Sequence, residues 1–386
     1  MVDGDGGRAS DALSVYAPIR QRGALWWRYA RQVANDGHVV ADGRISPVLM
    51  PAIEQTLIPL YAERTQDVVQ GQANAGDVLG MSLAKIMVLR HWVPLVAQYE
   101  LCGRQIFDLR DELADMLGQT DLGDCTLEGW NAPYEAFYVR FGKQEAMSLP
   151  FEEGEREYLD GAYVARTPHP DGLRLKIGFT TVKDDGRGVM LPGYFIDLWP
   201  EEQKLPVAEA VDASLRRKMA ELEADDLESG TVFSKALNSH RRVEMEDSAH
   251  LLRAGAALLV NALFYLEGLG AATPEPEPGR DTPPERVARW HQLDGAKRRK
   301  ERSAMTADGY AVVRLVGAEV ATAAATMTGG SRRAHWRRGH WRMQRHGEGM
   351  NLRKRLWIKP VMVAAGHHDG QELPGHVYVG GTGAVQ

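Results

Sequence analysis

The chain has 386 residues, 44% hydrophobic and 25% charged, with a formal net charge of −6. That length gives room for about two or three compact domains of roughly 100–200 residues, and the composition is that of an ordinary globular protein and excludes a disordered chain. Two cysteines, Cys102 and Cys125, exclude a disulfide framework and point to a reducing, cytoplasmic setting.

The opening MVDGDGGRAS has no apolar stretch preceded by positive charge, which predicts no secretory signal. The N-terminal third then reads as helical. ALWWRYARQVAND (24–36), MPAIEQTLIPLYAERTQDVV (50–69) and the long run from Ala75 to Leu117 place apolar residues at helix-like intervals, with Pro94 kinking or splitting the last. Around Pro133 the pattern changes. FYVRFG, EYLDGAYVART, LRLKIGFTTV and GYFIDLW are short, rich in aromatic and β-branched residues, and separated by DG, DDGRG and PG steps, which predicts an antiparallel meander. A second helical stretch follows from Pro206 to Leu269. Its apolar window AGAALLVNALFYL (Ala254–Leu266) is 13 residues, short of the roughly 20 needed to cross a bilayer, and predicts a buried helix rather than a membrane span.

ATPEPEPGRDTPPE (Ala272–Glu285) is the clearest boundary, because its five prolines disfavour helix and sheet alike. Beyond it come RVARWHQLDGAKRRKERSAM, a strand in GYAVVRLVG, a basic segment, a strand in LRKRLWIKPVMVAA, and HVYVGGTGAVQ as a further short strand. The elements predict an α+β protein with a helical N-terminal region (1–131), a central antiparallel sheet with a helical return (132–271), a Pro-rich linker (272–285) and a small basic C-terminal α+β module (286–386).

The charge is divided the same way. Residues Pro284–Pro360 carry 18 Lys/Arg against 6 Asp/Glu, a net of +12, which leaves −18 on the rest of the chain. Such asymmetry suggests a basic surface for a polyanion on an acidic body. At its centre stands the near-repeat HWRRGHWR, residues 335–342. Arginine presents a planar fork that fits phosphate, and tryptophan stacks on exposed bases, so the segment suits RNA with its splayed, unpaired bases. The candidate nucleic-acid contacts are Arg332, Arg333, His335, Trp336, Arg337, Arg338, His340, Trp341, Arg342, Arg345, Arg353, Lys354 and Arg355. An equal alternative is structural: Trp336, Trp341 and Trp357 fill a small core, with arginines stacked on them and paired to the acidic body.

Six of the twelve histidines lie at or after His335, so His335 and His340 are candidates for acid and base in RNA cleavage. Nothing in their spacing requires it. No HExxH pattern or cysteine pairing supports a metal site, and the chain shows neither a phosphate-binding glycine loop nor a GxSxG elbow. No cofactor is expected. NAPYEAFYVRFG (Asn131–Gly142) has four aromatics leading into a strand. It reads either as core at the helix-to-sheet junction or as a groove for an extended peptide, with Tyr134, Phe137 and Tyr138 as candidate contacts.

The pattern S-x-x-x-H-W-R-R-G-H-W-R-x-Q (Ser331–Gln344), followed by W-I-x-P (Trp357–Pro360), resembles the C-terminal signature of the anti-CRISPR family that lowers production of the type V-A Cas nuclease. PYEAFYVRFG and YLDGAYV are similar to that family's middle region. The resemblance covers roughly 133–360. It implies a protein of a mobile element that recognises a nascent polypeptide, either the nuclease or another target, and causes loss or silencing of its mRNA. The implied partners are the nascent chain and its mRNA or the ribosome. Two readings from other classes remain beside it: a nucleic-acid-binding regulator of plasmid or phage genes, and a ribonuclease using the C-terminal histidines.

Overall fold

The computed structural model describes residues 14–22, 25–35, 91–150, 155–186, 194–229, 232–318, 334–337, 339–350, 352–358 and 361–364. The helical readings at 50–69 and 75–90 and the strand expected in HVYVGG lie outside the described residues.

The N-terminal part contains α1 (Ala17–Arg20), α2 (Leu25–Asn35), α3 (Val93–Leu101), β1 (Ile106–Leu109) and α4 (Asp111–Gly118). Pro94 stands in the first turn of α3, in keeping with a kink or split there, and the departure from the helical reading is the strand β1 that interrupts the helices. Gly103 (φ 80°) and Arg104 (φ 55°) sit in the left-handed region and turn the chain out of α3. All four residues of β1 are buried, because strands pair with both of its edges and a hydrophobic core covers each of its faces. A strand covered on both sides loses the period-two signal that distinguishes it from a helix.

The meander forms as predicted. It consists of β2 (Ala136–Arg140), β3 (Ser148–Pro150), β4 (Arg156–His169), β5 (Gly172–Lys183) and β6 (Phe195–Leu198). Pairings β2–β4, β3–β4, β4–β5 and β5–β6 are antiparallel. Two later strands, β7 (Glu277–Pro278) and β8 (Val312–Val316), complete an eight-stranded sheet of order β6-β5-β4-β2-β1-β8-β7, with β3 on β4. The sheet is mixed, since β1 runs parallel to both β2 and β8. The Pro-rich run is tied to this sheet: Glu277–Pro278 pairs with β8, and Arg280 reaches the buried carboxylate of Asp108 at 2.9 Å. Asp108 also accepts from the Tyr16 hydroxyl (2.8 Å) and Arg140 (3.0 Å), so chain segments far apart in sequence meet on one fully buried acid.

Helices cover both faces. On one side lie α4, α5 (Val207–Ser229) and α6 (Val232–Leu269), packed on Phe107, Phe137, Val139, Val164 and Ile177. On the other, α1, α2 and α3 pack on Ile106, Tyr138 and Tyr163. Met245–Leu269 of α6 is long and apolar enough to cross a membrane, but 72% of its most apolar 18-residue window is buried within the protein, as a core helix. Gly255 permits its close approach, since a Cβ there would stand 2.7 Å from Leu159 Cδ1. Then come α7 (Pro284–Gln292), α8 (Gly295–Ala307), the antiparallel hairpin β10 (His340–His346) with β11 (Leu352–Ile358), and the pair β9 (Ala334–Arg337) with β12 (Val361–Ala364).

Candidate binding surfaces

The hairpin divides the histidine-tryptophan segment into two faces. Alternation along β10 puts Trp341 and Met343 inward, with His340, Arg342 and Gln344 on the other face. Trp341 is 8% exposed and packs edge-on to Phe264, with ring centroids 5.4 Å apart. Its Nε1–H donates to Asn261 Oδ1 at 2.7 Å. Asn261, buried on α6, in turn donates to the carbonyls of Leu117 (2.9 Å) and Thr120 (3.0 Å), so the indole closes a network that reaches the end of α4. Main-chain bonds Asp121 N to Gly339 O (2.9 Å) and Trp341 N to Asp121 O (3.1 Å) fix the strand to the body. Trp357, opposite Trp341 in the ladder, stacks on it at 6.1 Å and meets Tyr265 edge-on.

Arg355 is also committed to the body. It forms a bidentate pair with Glu267 (3.0 and 3.1 Å), donates to the carbonyls of Thr126 (3.0 Å) and Glu128 (3.2 Å), and lies over the Phe264 ring at 4.6 Å. A guanidinium this fully used, with its side chain 10% exposed, has little left for a phosphate. For Trp341 and Arg355 the expectation of nucleic-acid contact is therefore corrected: both hold the hairpin to the acidic body, as the structural alternative requires.

Arg342 and Arg345 are exposed, and neither makes an ion pair among the described residues. His340 is half-buried on the outward face, in register with Ile358. His335, Trp336 and Arg337 belong to β9, which pairs with β12 rather than with β10, so the backbones of His335 and His340 lie in different strand pairs. Arg353 and Lys354 face Arg345 and Gln344 across the ladder. Arg332, Arg333 and Arg338 lie outside the described residues.

The proposed aromatic groove is not formed. Phe137 (1% exposed) and Tyr138 (0%) are adjacent on β2 and so point to opposite faces, Phe137 against Phe107 and Tyr138 against Tyr163. Only Tyr134 remains half-buried, its hydroxyl accepting from Arg314 at 3.0 Å. The core reading of NAPYEAFYVRFG is the correct one for Phe137 and Tyr138.

A surface that the sequence did not reveal is a groove of about 910 Å³ between α2, α3 and α8, at the N-terminal ends of β1 and β8. Four arginines, Arg22, Arg31, Arg104 and Arg302, line it with one acid, Glu100. Arg104 and Arg31 both converge on Glu100 Oε2, at 2.7 and 3.6 Å. Arg22 spans the groove to the Thr306 carbonyl at 2.6 Å. Its parts are contributed by residues 18–31, 99–106 and 302–312, and no local spacing connects them.

Among the described residues no group of three or more His, Cys, Asp or Glu is placed to hold a metal. Burial raises the thiol pKa of both Cys102 and Cys125, the opposite of what a nucleophilic thiolate needs.

The family model for the anti-CRISPR type V subtype A2 family, AcrVA2-like, matches residues 107–365. The crystal structure of AcrVA2 aligns over 90% of this chain and 96% of that chain, at 16% sequence identity and a TM-score of 0.37. Comparison with curated proteins gave no match.

Proposed function

Because the chain belongs to the anti-CRISPR type V subtype A2 family, we propose that it recognises a nascent polypeptide, the type V-A Cas nuclease or another target, and causes loss or silencing of the mRNA that encodes it. This needs two surfaces usable at once. The observation that supports it is the placement of the groove and the cationic hairpin on opposite sides of one sheet: Ile106 and Tyr99 at the groove belong to one core, Trp341 and Met343 beneath the hairpin to the other. With Phe137 and Tyr138 buried, the groove is the peptide surface, and the exposed cations of the hairpin, Arg342 on its outward side and Arg345 further along the other, form the RNA surface. The protein acts in the cytoplasm, where nascent chain and message are together, and the histidines do no chemistry.

The test transfers the first codons of the target onto an unrelated reporter co-expressed with this protein. Reporter mRNA falls when those codons are read in frame and is spared when the leader is frameshifted. An equal fall with the frameshifted leader would make RNA sequence the feature read and the protein a nucleic-acid regulator. Cleavage of purified RNA without ribosomes, lost on substituting His335 and His340 by Gln, would make it a ribonuclease.

A further inference from the structure

We infer that the outward face of α8 is a docking surface for double-stranded RNA, gripped across its minor groove. Short side chains on that face enter between the two phosphate rows, and cations on either flank reach the phosphates. This rests on RNA being a partner of the chain, and adds a contact separate from the hairpin. From Gly295 to Ala307, α8 carries five cations, Lys297, Arg298, Arg299, Lys300 and Arg302, against one acid, Glu301. That acid does not compensate them. Its side chain is 6% exposed and accepts from Arg286 at 3.0 Å, with Arg289 at 3.6 Å, so α7 holds it rather than Lys297 one turn away. Arg298 is also used within the fold, over the Trp290 ring at 5.5 Å and donating to the Leu293 carbonyl at 2.9 Å. Lys297, Arg299 and Lys300 are left, all exposed and none in an ion pair among the described residues. A merely solvated helix looks different in this chain: on α5, Arg217 pairs with Glu221 one turn on and with Glu202. On α8, Lys297 and Lys300 stand at a spacing where like charges repel, and the first turn has no acid to suit the helix dipole. A polyanion relieves that repulsion.

The shape of the face selects the duplex. Ala296, Ser303 and Ala307 are exposed and fall on one side of the helix over about 16 Å. Lys297 and Lys300 lie on one flank of this stripe, Arg299 and the half-buried Arg302 on the other. The minor groove of an RNA helix is wide and shallow and shows 2′-hydroxyls between its phosphate rows, which suits short side chains that include the Ser303 hydroxyl. In a DNA duplex the minor groove is too narrow for a helix, and the wide major groove is read by longer side chains than these. Single-stranded RNA needs exposed aromatic faces for its bases. Here Trp290 is 3% exposed, and Arg286 lies over the Tyr310 ring, 5.3 Å from its centroid.

The test titrates the full-length protein into a fluorescein-labelled RNA duplex and into labelled oligouridine, by anisotropy over a series of salt concentrations. The duplex is expected to bind with an affinity that falls steeply as salt rises. Lys297→Gln, Arg299→Gln and Lys300→Gln together remove no core contact, because all three side chains are exposed. This triple variant weakens the duplex about tenfold or more and lowers the slope of log K against log salt by about 2–3, one phosphate contact per cation. Oligouridine keeps most of its affinity through the hairpin. Ser303→Leu puts bulk on the stripe without altering charge, and weakens the duplex alone. No duplex binding, or full duplex affinity in either variant, would overturn the inference. Equal losses for duplex and oligouridine would do so too, by making the face a general electrostatic contact. A DNA duplex of the same sequence bound as tightly as the RNA would make DNA the occupant, and polyglutamate competing as well as RNA would make it an acidic polypeptide; each result refutes the assignment. The reporter assay separates this inference from the reading it rests on. In-frame loss of mRNA in a triple variant whose duplex affinity is unchanged removes α8 and leaves nascent-chain recognition standing, whereas duplex binding lost with the three cations, but without any in-frame effect in the wild type, does the reverse.

Discussion

Replacing Trp341 by Ala separates the two readings of the histidine-tryptophan segment most directly. The indole is 8% exposed, packed on Phe264 and stacked on Trp357, so its truncation falls in the range of about 3–5 kcal/mol seen for large aromatic deletions in cores. The variant also leaves Asn261 Oδ1 without its donor in a buried site, adding about 1–3 kcal/mol unless water enters. The sum is comparable to the whole stability of many domains, about 5–15 kcal/mol. Trp341→Phe keeps most of the ring contact and loses mainly the hydrogen bond, for about 1–3 kcal/mol. Urea unfolding followed by far-UV circular dichroism gives the midpoints, and amide hydrogen exchange on β10 and β11 shows whether the hairpin detaches before the body unfolds. A Trp341→Ala protein that unfolds within about 0.5 kcal/mol of the wild type, with an unchanged hairpin and lost RNA binding, would mean that this ring contacts the ligand and that the packing account is wrong.

Three further outcomes are expected. Substituting Arg342 and Arg345 together by Ala leaves the melting temperature unchanged and lowers the affinity of the full chain for single-stranded RNA, with the slope of log K against log salt reduced by about 1–2; an unchanged slope would remove these residues from the phosphate surface. Gly161→Ala places a Cβ 2.0 Å from the Tyr138 hydroxyl and 2.7 Å from the Val139 carbonyl oxygen, and destabilises by about 1–3 kcal/mol or more through displacement of that buried tyrosine; a melting temperature within a degree of wild type would refute the contact. Burial pushes the Glu157 carboxyl up to about 7 from an ordinary 4.5, so the folded state holds a proton that the unfolded state releases between those values, and stability is lost as pH rises through that window. Glu157→Gln is therefore near neutral at pH 4 and stabilising by up to roughly 3 kcal/mol at pH 8, and parallel stability curves for the two proteins would contradict it.

Elements whose pattern is local could be read from the residues alone. The meander β2–β6 was legible because its strands alternate or carry β-branched and aromatic runs between glycine turns, and α5 and α6 because their apolar positions recur at helical spacing. The family was legible in Ser331–Gln344 and Trp357–Pro360, both inside the matched stretch 107–365. What the residues of that signature do was not legible. Trp341 and Arg342 are neighbours of equal promise in the sequence, yet one joins the core through Asn261 and the other stays exposed, a division made by which face of β10 meets α6. The same applies to Phe137 and Tyr138, whose aromatic character suits a groove or a core and whose place between two helical layers decides for the core. β1 escaped notice because burial on both faces erases alternation, and its parallel partner β8 lies some two hundred residues later. The arginine groove was hidden for a related reason: charge complementarity among residues 18–31, 99–106 and 302–312 depends on distances in space, and only the folding of α2, α3 and α8 about one end of the sheet brings those side chains together.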